Sequence, residues 1–167
     1  MKLSKHSLRG VRLGYKSVDG ISKKRSESPT TKERRRLAKQ AWIVFSRYVR
    51  TKDVDFQDRS QCYTCKRRIP WKELDAGHFK HTSKKKGQIR TKVIDYDERN
   101  IHAQCTFCNR MAHGNLTKYA IALEEQYGHG IIQELDRIYH QQEEMTTEQL
   151  KEIINRYENV RQQPSLN

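Results

Sequence analysis

The four cysteines of the chain fall into two pairs with the spacing Cys-x-x-Cys. The pairs are Cys62/Cys65 and Cys105/Cys108. Two residues between ligands allow a tight turn to direct both sulfur atoms to one point, so two such pairs can surround one metal ion tetrahedrally. The spacing predicts a structural Zn²⁺ site, whose closed four-sulfur shell leaves no position for a substrate.

Two disulfides are the rival interpretation of these cysteines. The basic N-terminus is followed by no apolar stretch that would resemble a secretory signal, and no run of about 18 apolar residues predicts a membrane-spanning helix. We therefore expect a cytoplasmic protein with no membrane partner, in a compartment where thiols stay reduced. A redox-active Cys-x-x-Cys would need only one pair and a βαβ pattern, and neither feature fits.

Polar residues that could carry out catalysis lie between the cysteine pairs and just after them. One cluster runs from Asp75 to Phe79, and a second runs from Glu98 to Asn109. Phosphodiester hydrolysis needs a base to activate water, and neutral imidazole is suited to this near pH 7. It also needs a divalent cation, and carboxylate and amide oxygens suit Mg²⁺ or Mn²⁺. A knuckle, a strand with a histidine, an asparagine and a second knuckle that opens a helix form the layout of a ββα-metal nuclease finger.

The two clusters, extended to Leu116, resemble the phage NinG family. The match continues at Tyr119, Leu123 and Gly128 and covers roughly residues 38–130. The family is similar to HNH (His-Me finger) nucleases and is associated with cutting branched DNA, such as Holliday junctions and D-loops, during recombination. The resemblance implies a metal-dependent endonuclease with DNA as its partner, acting in the host cytoplasm if the protein is phage-encoded.

The resemblance also implies roles for individual residues. His78 corresponds to the general base, and Asn100 to the asparagine that orients this histidine by hydrogen bonding. Asn109, directly after the last cysteine, corresponds to a ligand of the catalytic Mg²⁺ or Mn²⁺. Many HNH fingers have an aspartate immediately before the base, where this chain has Gly77. Because alternate strand residues face the same side, Asp75 is the candidate carboxylate ligand.

Two further histidines lie close to these clusters. His113 follows Asn109 by four residues, which is one helical turn on the same face, so we consider it a further metal ligand or a phosphate contact. His102 has apolar neighbours on both sides and would face away from them on a strand. We interpret His102 as structural or DNA-facing rather than catalytic.

A long amphipathic helix is predicted ahead of the first cysteine pair. Apolar residues at helical spacing predict a helix from about Thr31 to Lys52, and Thr30 with Glu33 fits a capping box at its start. The opposite face is basic and is a candidate DNA-binding surface, carried by Arg34, Arg35 and Lys39. The alternative for these cations is a solvated surface.

The remaining segments are shorter. Residues 53–61 are predicted to be a loop, and the basic insert from His81 to Lys92 a loop or hairpin tip, whose Lys84, Lys85 and Lys86 are further DNA-binding candidates. A helix should end near Gly128, and a short helix should follow it. Thr146 with Gln149 fits a second capping box ahead of a last amphipathic helix.

Charge and composition indicate a small core with polar extensions. Only 34% of the residues are hydrophobic, and the net charge of +14 divides into +13 for residues 1–52, +6 for 53–118 and −5 for 119–167. Such polarised positive charge is typical of nucleic-acid-binding proteins. We predict a disordered basic arm (1–29), a zinc-stabilised HNH-type domain with its leading helix (30–130) and an acidic helical C-terminal extension (131–167).

The fold class expected is α+β: a small treble-clef-like zinc domain with an embedded ββα-metal finger, flanked by helices. Two other functions share many of these features. A zinc-stabilised DNA-binding module without catalysis would need the cysteines and the charge but not Asp75, His78 or Asn109. A restriction-type HNH nuclease would cut duplex DNA. The two-fold symmetry of a junction favours paired incisions, which a homodimer would make.

Overall fold

The computed structural model of the protein describes residues 29–82 and 90–158. The described part contains four α-helices and four short strands, and a single helical turn lies in each of three connections: β2 to β3, β3 to β4 and β4 to α2. In chain order these are α1 (Pro29–Thr51), β1 (Arg59–Gln61), β2 (Arg68–Pro70), β3 (Leu74–His78), β4 (Ile101–Cys105), α2 (Leu116–Tyr127), α3 (Ile131–Gln141) and α4 (Thr147–Glu158). The mixture of helices and small antiparallel sheets confirms the α+β class.

Helix α1 forms the base on which the rest of the described chain is built. It begins at Pro29, a residue that is well tolerated in the first turn because the N–H that it lacks would have no helical partner there. Thr30 therefore lies inside the helix, one residue after its start, rather than directly ahead of it as predicted. The carboxylate of Glu33 accepts hydrogen bonds from Arg36 at 2.7 and 2.9 Å. The apolar face of α1, with Ala41 and Phe45 fully buried, provides the main core.

Helix α4 packs against α1, although it lies in the segment 131–167 predicted as an extension. Its capping box is confirmed: Thr146 Oγ1 accepts from the backbone N–H of Gln149 at 3.2 Å, and Gln149 Oε1 accepts from the N–H of Thr146 at 2.7 Å. The apolar side chains of α4, including Leu150 and Tyr157, are buried in the same cluster as those of α1. Folding of α1 and folding of α4 are thus coupled through one core.

Strands β3 and β4 form the antiparallel hairpin that carries most of the candidate site. Their register pairs Leu74 with Cys105 and His78 with Ile101. Because side chains alternate along a strand, His78 and Ile101 lie on one face of the hairpin, which packs against α1. Gln104 lies on the opposite face with the residue before His78.

Strands β1 and β2 form a second, smaller hairpin that contains the first cysteine pair in its turn. The prediction of a loop over 53–61 is therefore wrong for Arg59–Gln61. The strand has only three residues, of which Ser60 is buried and its two neighbours are exposed. Three residues are too few for the alternation of a strand to be recognised in the sequence.

The segment after β4 differs from the helix predicted there. A single π-helical turn, Phe107–Met111, follows the second cysteine pair, and the regular helix α2 begins only at Leu116. Helix α2 ends at Tyr127, directly before Gly128, near which the end was predicted; φ of Gly128 is +86°. Helix α3 begins after Gly130, and α2 and α3 share a small core. Across the described ranges, no helix has the length and apolar character needed to cross a bilayer.

His102, on β4, is buried rather than DNA-facing. Its Nδ1 lies 3.0 Å from the hydroxyl of Tyr119, and its Nε2 lies 3.2 Å from the hydroxyl of Tyr127. Its ring stacks on that of Tyr63, with 3.7 Å between the ring centroids. Burial, with a smaller effect from two nearby lysines, lowers the pKa of His102 to about 3. The folded protein therefore keeps this imidazole neutral well below the pH at which the unfolded chain protonates it.

We expect this histidine to make the folded protein less stable in acid. Between pH 6.5 and about 3 the unfolded chain binds the extra proton, so the free energy of unfolding falls as the pH falls through this window. Each unit of pKa depression corresponds to about 1.4 kcal/mol. Urea titrations at several pH values should show a shallower pH slope for His102→Phe than for the wild type. Equal slopes for the two proteins would contradict the assignment.

Candidate functional site

The four cysteines come together as predicted. Their Sγ atoms all lie within 4.8 Å of one another, and all four thiols are free of disulfides. The β1–β2 hairpin presents Cys62 and Cys65, while the end of β4 and the π-helical turn present Cys105 and Cys108. Four sulfur atoms at this separation can hold a tetrahedral zinc ion, which prefers such ligands.

Hydrogen bonds to two of the four sulfur atoms favour the thiolate form of Cys62 and Cys105. The backbone N–H of Cys105 donates to Cys62 Sγ at 3.3 Å, and the N–H of Cys108 donates to Cys105 Sγ at 3.4 Å. Burial opposes ionisation of Cys62, but the Thr64 hydroxyl and backbone N–H groups outweigh it and lower the pKa of this thiol to about 6. Thiolates are the form that binds zinc.

Asp75 and Asn109, the two predicted oxygen ligands, are in contact. Asn109 Nδ2 donates to Asp75 Oδ2 at 3.0 Å, and Arg110 donates to both carboxylate oxygens at 2.9 and 2.7 Å. Burial opposes ionisation of Asp75, but these hydrogen bonds and the nearby Arg110 charge lower the pKa of its carboxyl group. The arrangement places an ionised carboxylate and an amide side by side, close to the cysteine cluster.

Gly77 lies on the same face of β3 as Asp75, and two amide oxygens crowd against it. A Cβ atom at this position would lie 2.0 Å from Gln104 Oε1 and 3.1 Å from Asn109 Oδ1. The Gln104 side chain is fully buried, and its Oε1 accepts no hydrogen bond within the described ranges. Sequence reasoning missed Gln104 as a site residue.

His78 has a different set of neighbours, on the face of the hairpin that packs against α1. Its ring is buried and stacks on Trp42, with 5.4 Å between ring centroids. Arg90 Nη1 lies 3.0 Å from His78 Nε2. The Cζ atom of Arg90 also lies over the Trp42 ring, 4.1 Å from the ring centroid. A guanidinium can only donate, so the Nε2 of His78 is the acceptor and the imidazole is neutral with its proton on Nδ1.

Asp95 completes this second group and was not among the predicted residues. Its carboxylate is fully buried, with Oδ1 at 3.9 Å from His78 Nε2 and 3.6 Å from Arg90 Nη1. The hydroxyl of Thr82 donates to the same oxygen at 2.8 Å. The sequence signal for Asp95 is its position between the apolar residues 94 and 96, which indicates that the carboxylate is buried. A buried carboxylate normally has a charged partner, so this position indicates a buried charged group.

Asn100 is fully buried and binds the backbone around the candidate base. Its Oδ1 accepts from the N–H of Lys80 at 2.7 Å, and its Nδ2 donates to the carbonyls of Lys80 and Ile94 at 3.0 and 2.9 Å. Lys80 follows His78 by two residues. Asn100 thus fixes the chain that leaves β3 directly after the candidate base, rather than the imidazole itself.

His113 does not share a helical face with Asn109. The π-helical turn ends at Met111, and His113 lies in the following turn, exposed and with φ at +49°. The spacing argument for His113 as a ligand is therefore wrong, because it assumed a continuous helix. Gly114, with φ at +88°, continues this reversal toward α2.

The candidate DNA-binding cations differ in their surroundings. Arg34 donates to the carbonyl of Met145 at 3.0 Å and pairs with Glu144, so it ties α1 to the segment before α4. Arg35 and Lys39 are exposed on α1. Lys84, Lys85 and Lys86 lie outside the described residues, as do residues 1–28 of the predicted arm.

Comparison with known proteins is consistent with the motifs. The chain matches the family described as "Bacteriophage Lambda NinG protein" over residues 17–164. It is 32% identical over 120 residues to Protein ninG of Salmonella phage P22, which covers 72% of this chain and 53% of that protein. It is 30% identical over 120 residues to Protein ninG of Escherichia phage lambda, with the same two coverages.

The chain spans about half the length of the curated relatives it matches. No solved structure matches it. The match at residues 17–164 nevertheless includes both cysteine pairs, both polar clusters and all four described helices. On this extent of similarity, the chain belongs to the NinG family.

Proposed function

We propose that this chain is a metal-dependent endonuclease that cuts branched DNA, such as Holliday junctions and D-loops, in recombination. One observation carries the proposal. A single five-residue strand, β3, holds the carboxylate of Asp75 in contact with Asn109 and ends at a buried histidine whose Nε2 lies 3.0 Å from the Arg90 guanidinium. Carboxylate, amide and neutral imidazole are the groups that metal-assisted phosphodiester hydrolysis requires.

His78 serves as the general base in this proposal. The lone pair that would accept a proton is on Nε2, and in this structure it accepts a hydrogen bond from Arg90. A phosphate oxygen would be a better acceptor for Arg90, since charge-assisted hydrogen bonds to phosphate are stronger than those to neutral groups. The guanidinium would then turn to the phosphate, and the freed Nε2 would take a proton from water as the water oxygen bonds to phosphorus. The bond from phosphorus to the leaving oxygen would break, and its electron pair would stay on that oxygen.

Asp75 and Asn109 would hold the catalytic Mg²⁺ or Mn²⁺. Their oxygen atoms fit such a hard cation, and Arg110, whose side chain is 66% exposed, can leave the carboxylate for solvent. The bound cation would stabilise negative charge on the phosphate and on the leaving oxygen. The zinc ion would have only a structural role, because four cysteines complete its shell.

A stripe on α1 offers a path for the DNA backbone to His78. Arg35, Lys39 and Trp42 are spaced by four and three residues, so they share one face of the helix. Trp42 stacks on His78, and the two cations are exposed ahead of it. Phosphates bound along this stripe would lead the strand to the candidate base.

The experiment that tests the function is cleavage of a labelled four-way junction by the purified, zinc-loaded chain. We expect incision with Mg²⁺ or Mn²⁺, none with EDTA at a concentration that leaves the zinc in place, and much slower cleavage of a linear duplex of the same sequence. Rapid cutting of the linear duplex would instead support a restriction-type nuclease. If two copies act together, both incisions should appear within one binding event.

A zinc-stabilised DNA-binding module without catalysis is the second candidate. The two-point contact of Arg110 with Asp75 favours it, because such a pair also occurs as an ordinary structural salt bridge. Tight junction binding with no cleavage under any divalent cation would select this alternative.

A further inference from the structure

We propose that Gln104 is a third oxygen ligand of a divalent cation, Mg²⁺ or Mn²⁺, bound with Asp75 and Asn109 against Gly77. The inference rests on the proposed function, because it names a residue of the same metal site. It begins from the Gln104 oxygen, which is fully buried and has no donor within the described ranges. A buried acceptor without a hydrogen bond destabilises the fold, and a bound cation would satisfy this oxygen.

The orientation of the Gln104 amide follows from its partners. Its Nε2 donates to the carbonyl of Gly114 at 2.9 Å and to Thr64 Oγ1 at 3.3 Å. A carbonyl can only accept, so the nitrogen of the amide must face Gly114 and the oxygen must face Gly77. Rotation of the amide by 180° would place two acceptors against each other.

The same argument fixes the amide of Asn109. Its Nδ2 donates to the carboxylate of Asp75 at 3.0 Å, and a carboxylate that is ionised can only accept. The oxygen of Asn109 is thereby turned toward Gly77, 3.1 Å from the position of an added Cβ. Two amide oxygens therefore face one glycine, with the Asp75 carboxylate next to them.

Gly77 keeps the space in front of these oxygens open. Any side chain here would begin 2.0 Å from Gln104 Oε1, which is closer than two such atoms can approach. Gly77 also precedes His78, the last residue of β3, so a cation held here lies beside the candidate base in the chain. Asp75 is two residues further than Gly77 from the end of β3, so a cation bound by Asp75 without Gln104 would lie further from His78 along the strand.

The test compares two substitutions of nearly equal size, Gln104→Met and Gln104→Glu. Both remove the hydrogen bond to Gly114, but only Gln104→Met removes the oxygen that faces Gly77. Mn²⁺ binding to the zinc-loaded full chain is measured by electron paramagnetic resonance of the free ion. We expect Gln104→Met to weaken binding by about tenfold or more, and Gln104→Glu to bind Mn²⁺ at least as tightly as the wild type.

A second measurement uses only the wild type, so the proposal can be tested even if Gln104→Met does not fold. Titration with Mg²⁺ should shift the nuclear magnetic resonance signals of the Gln104 side-chain NH₂ group, and those of Asn109, with one common affinity. Signals of Gln104 that do not move while those of Asn109 do would overturn the proposal. So would wild-type Mn²⁺ affinity in Gln104→Met, or an equal loss in both variants.

Cleavage assays on the same samples separate this inference from the function. Mn²⁺ binding that depends on the Gln104 oxygen, without any junction cleavage, supports the ligand and counts against the endonuclease. Junction cleavage by Gln104→Met at the wild-type rate and with wild-type Mn²⁺ affinity supports the endonuclease and rejects Gln104 as a ligand.

Discussion

Replacing Cys105 by serine is expected to unfold the hairpin region rather than only to slow cleavage. The cluster around the cysteines contains few other buried apolar side chains, chiefly Leu74 and Ala103. The other face of the β3–β4 hairpin packs against α1, but on the cysteine side so small a core cannot hold the β1–β2 hairpin and the end of β4 together by itself. A structural zinc site contributes an apparent free energy of about 10–16 kcal/mol. Loss of zinc would also release Gln104 and Asn109, which adjoin the ligands Cys105 and Cys108 in the chain.

Metal analysis and circular dichroism of the purified proteins check this result. Cys105→Ser should lose most of its zinc and its cooperative thermal transition. Thr106→Ser is the matched control, because it introduces the same side chain at the next position, which is exposed and outside the cluster. A soluble Cys105→Ser protein with native circular dichroism and one bound zinc ion would exclude a site formed by four thiolates.

Substitution of His78 by alanine is expected to abolish cleavage while junction binding stays within a few-fold of wild type. Removal of a general base costs about a hundredfold to ten-thousandfold in rate. Affinity for DNA depends mainly on phosphate contacts, which His78 does not supply in the proposed function. Single-turnover cleavage and binding of the same junction measure the two effects separately.

The ring of His78 is buried, so alanine also leaves a cavity that is expected to cost about 2–4 kcal/mol of stability. His102→Ala is the matched control: it truncates a second buried histidine, which interacts with tyrosine hydroxyls on the other face of the hairpin. At a temperature where both variants are folded, His102→Ala should cut and His78→Ala should not. Added imidazole should restore part of the activity of His78→Ala, because it can enter the cavity. Wild-type cleavage by His78→Ala would remove this residue from the mechanism.

The sequence by itself determined the helices and the meeting of the cysteines. Helix formation follows from local signals, and the apolar spacing of α1 and the capping box of α4 are present within one or two turns of chain. The Cys-x-x-Cys pairs are equally local, and their chemistry leaves few ways to arrange four thiols. The errors are also local: α1 begins at Pro29, two residues before the predicted start at Thr31, and a π-helical turn removes His113 from the face of Asn109.

Only the tertiary structure decided which side chains meet. The partners of His78 come from α1 and from the segment at 90–95, and the Gln104 oxygen reaches Gly77 through the register of β3 with β4. Arg34 is equally instructive, since the helix pattern shows a basic face but not that Glu144 lies beside it. Contacts of this kind join residues far apart in the chain. They depend on strand register and on helix packing, which no periodicity within a single segment specifies.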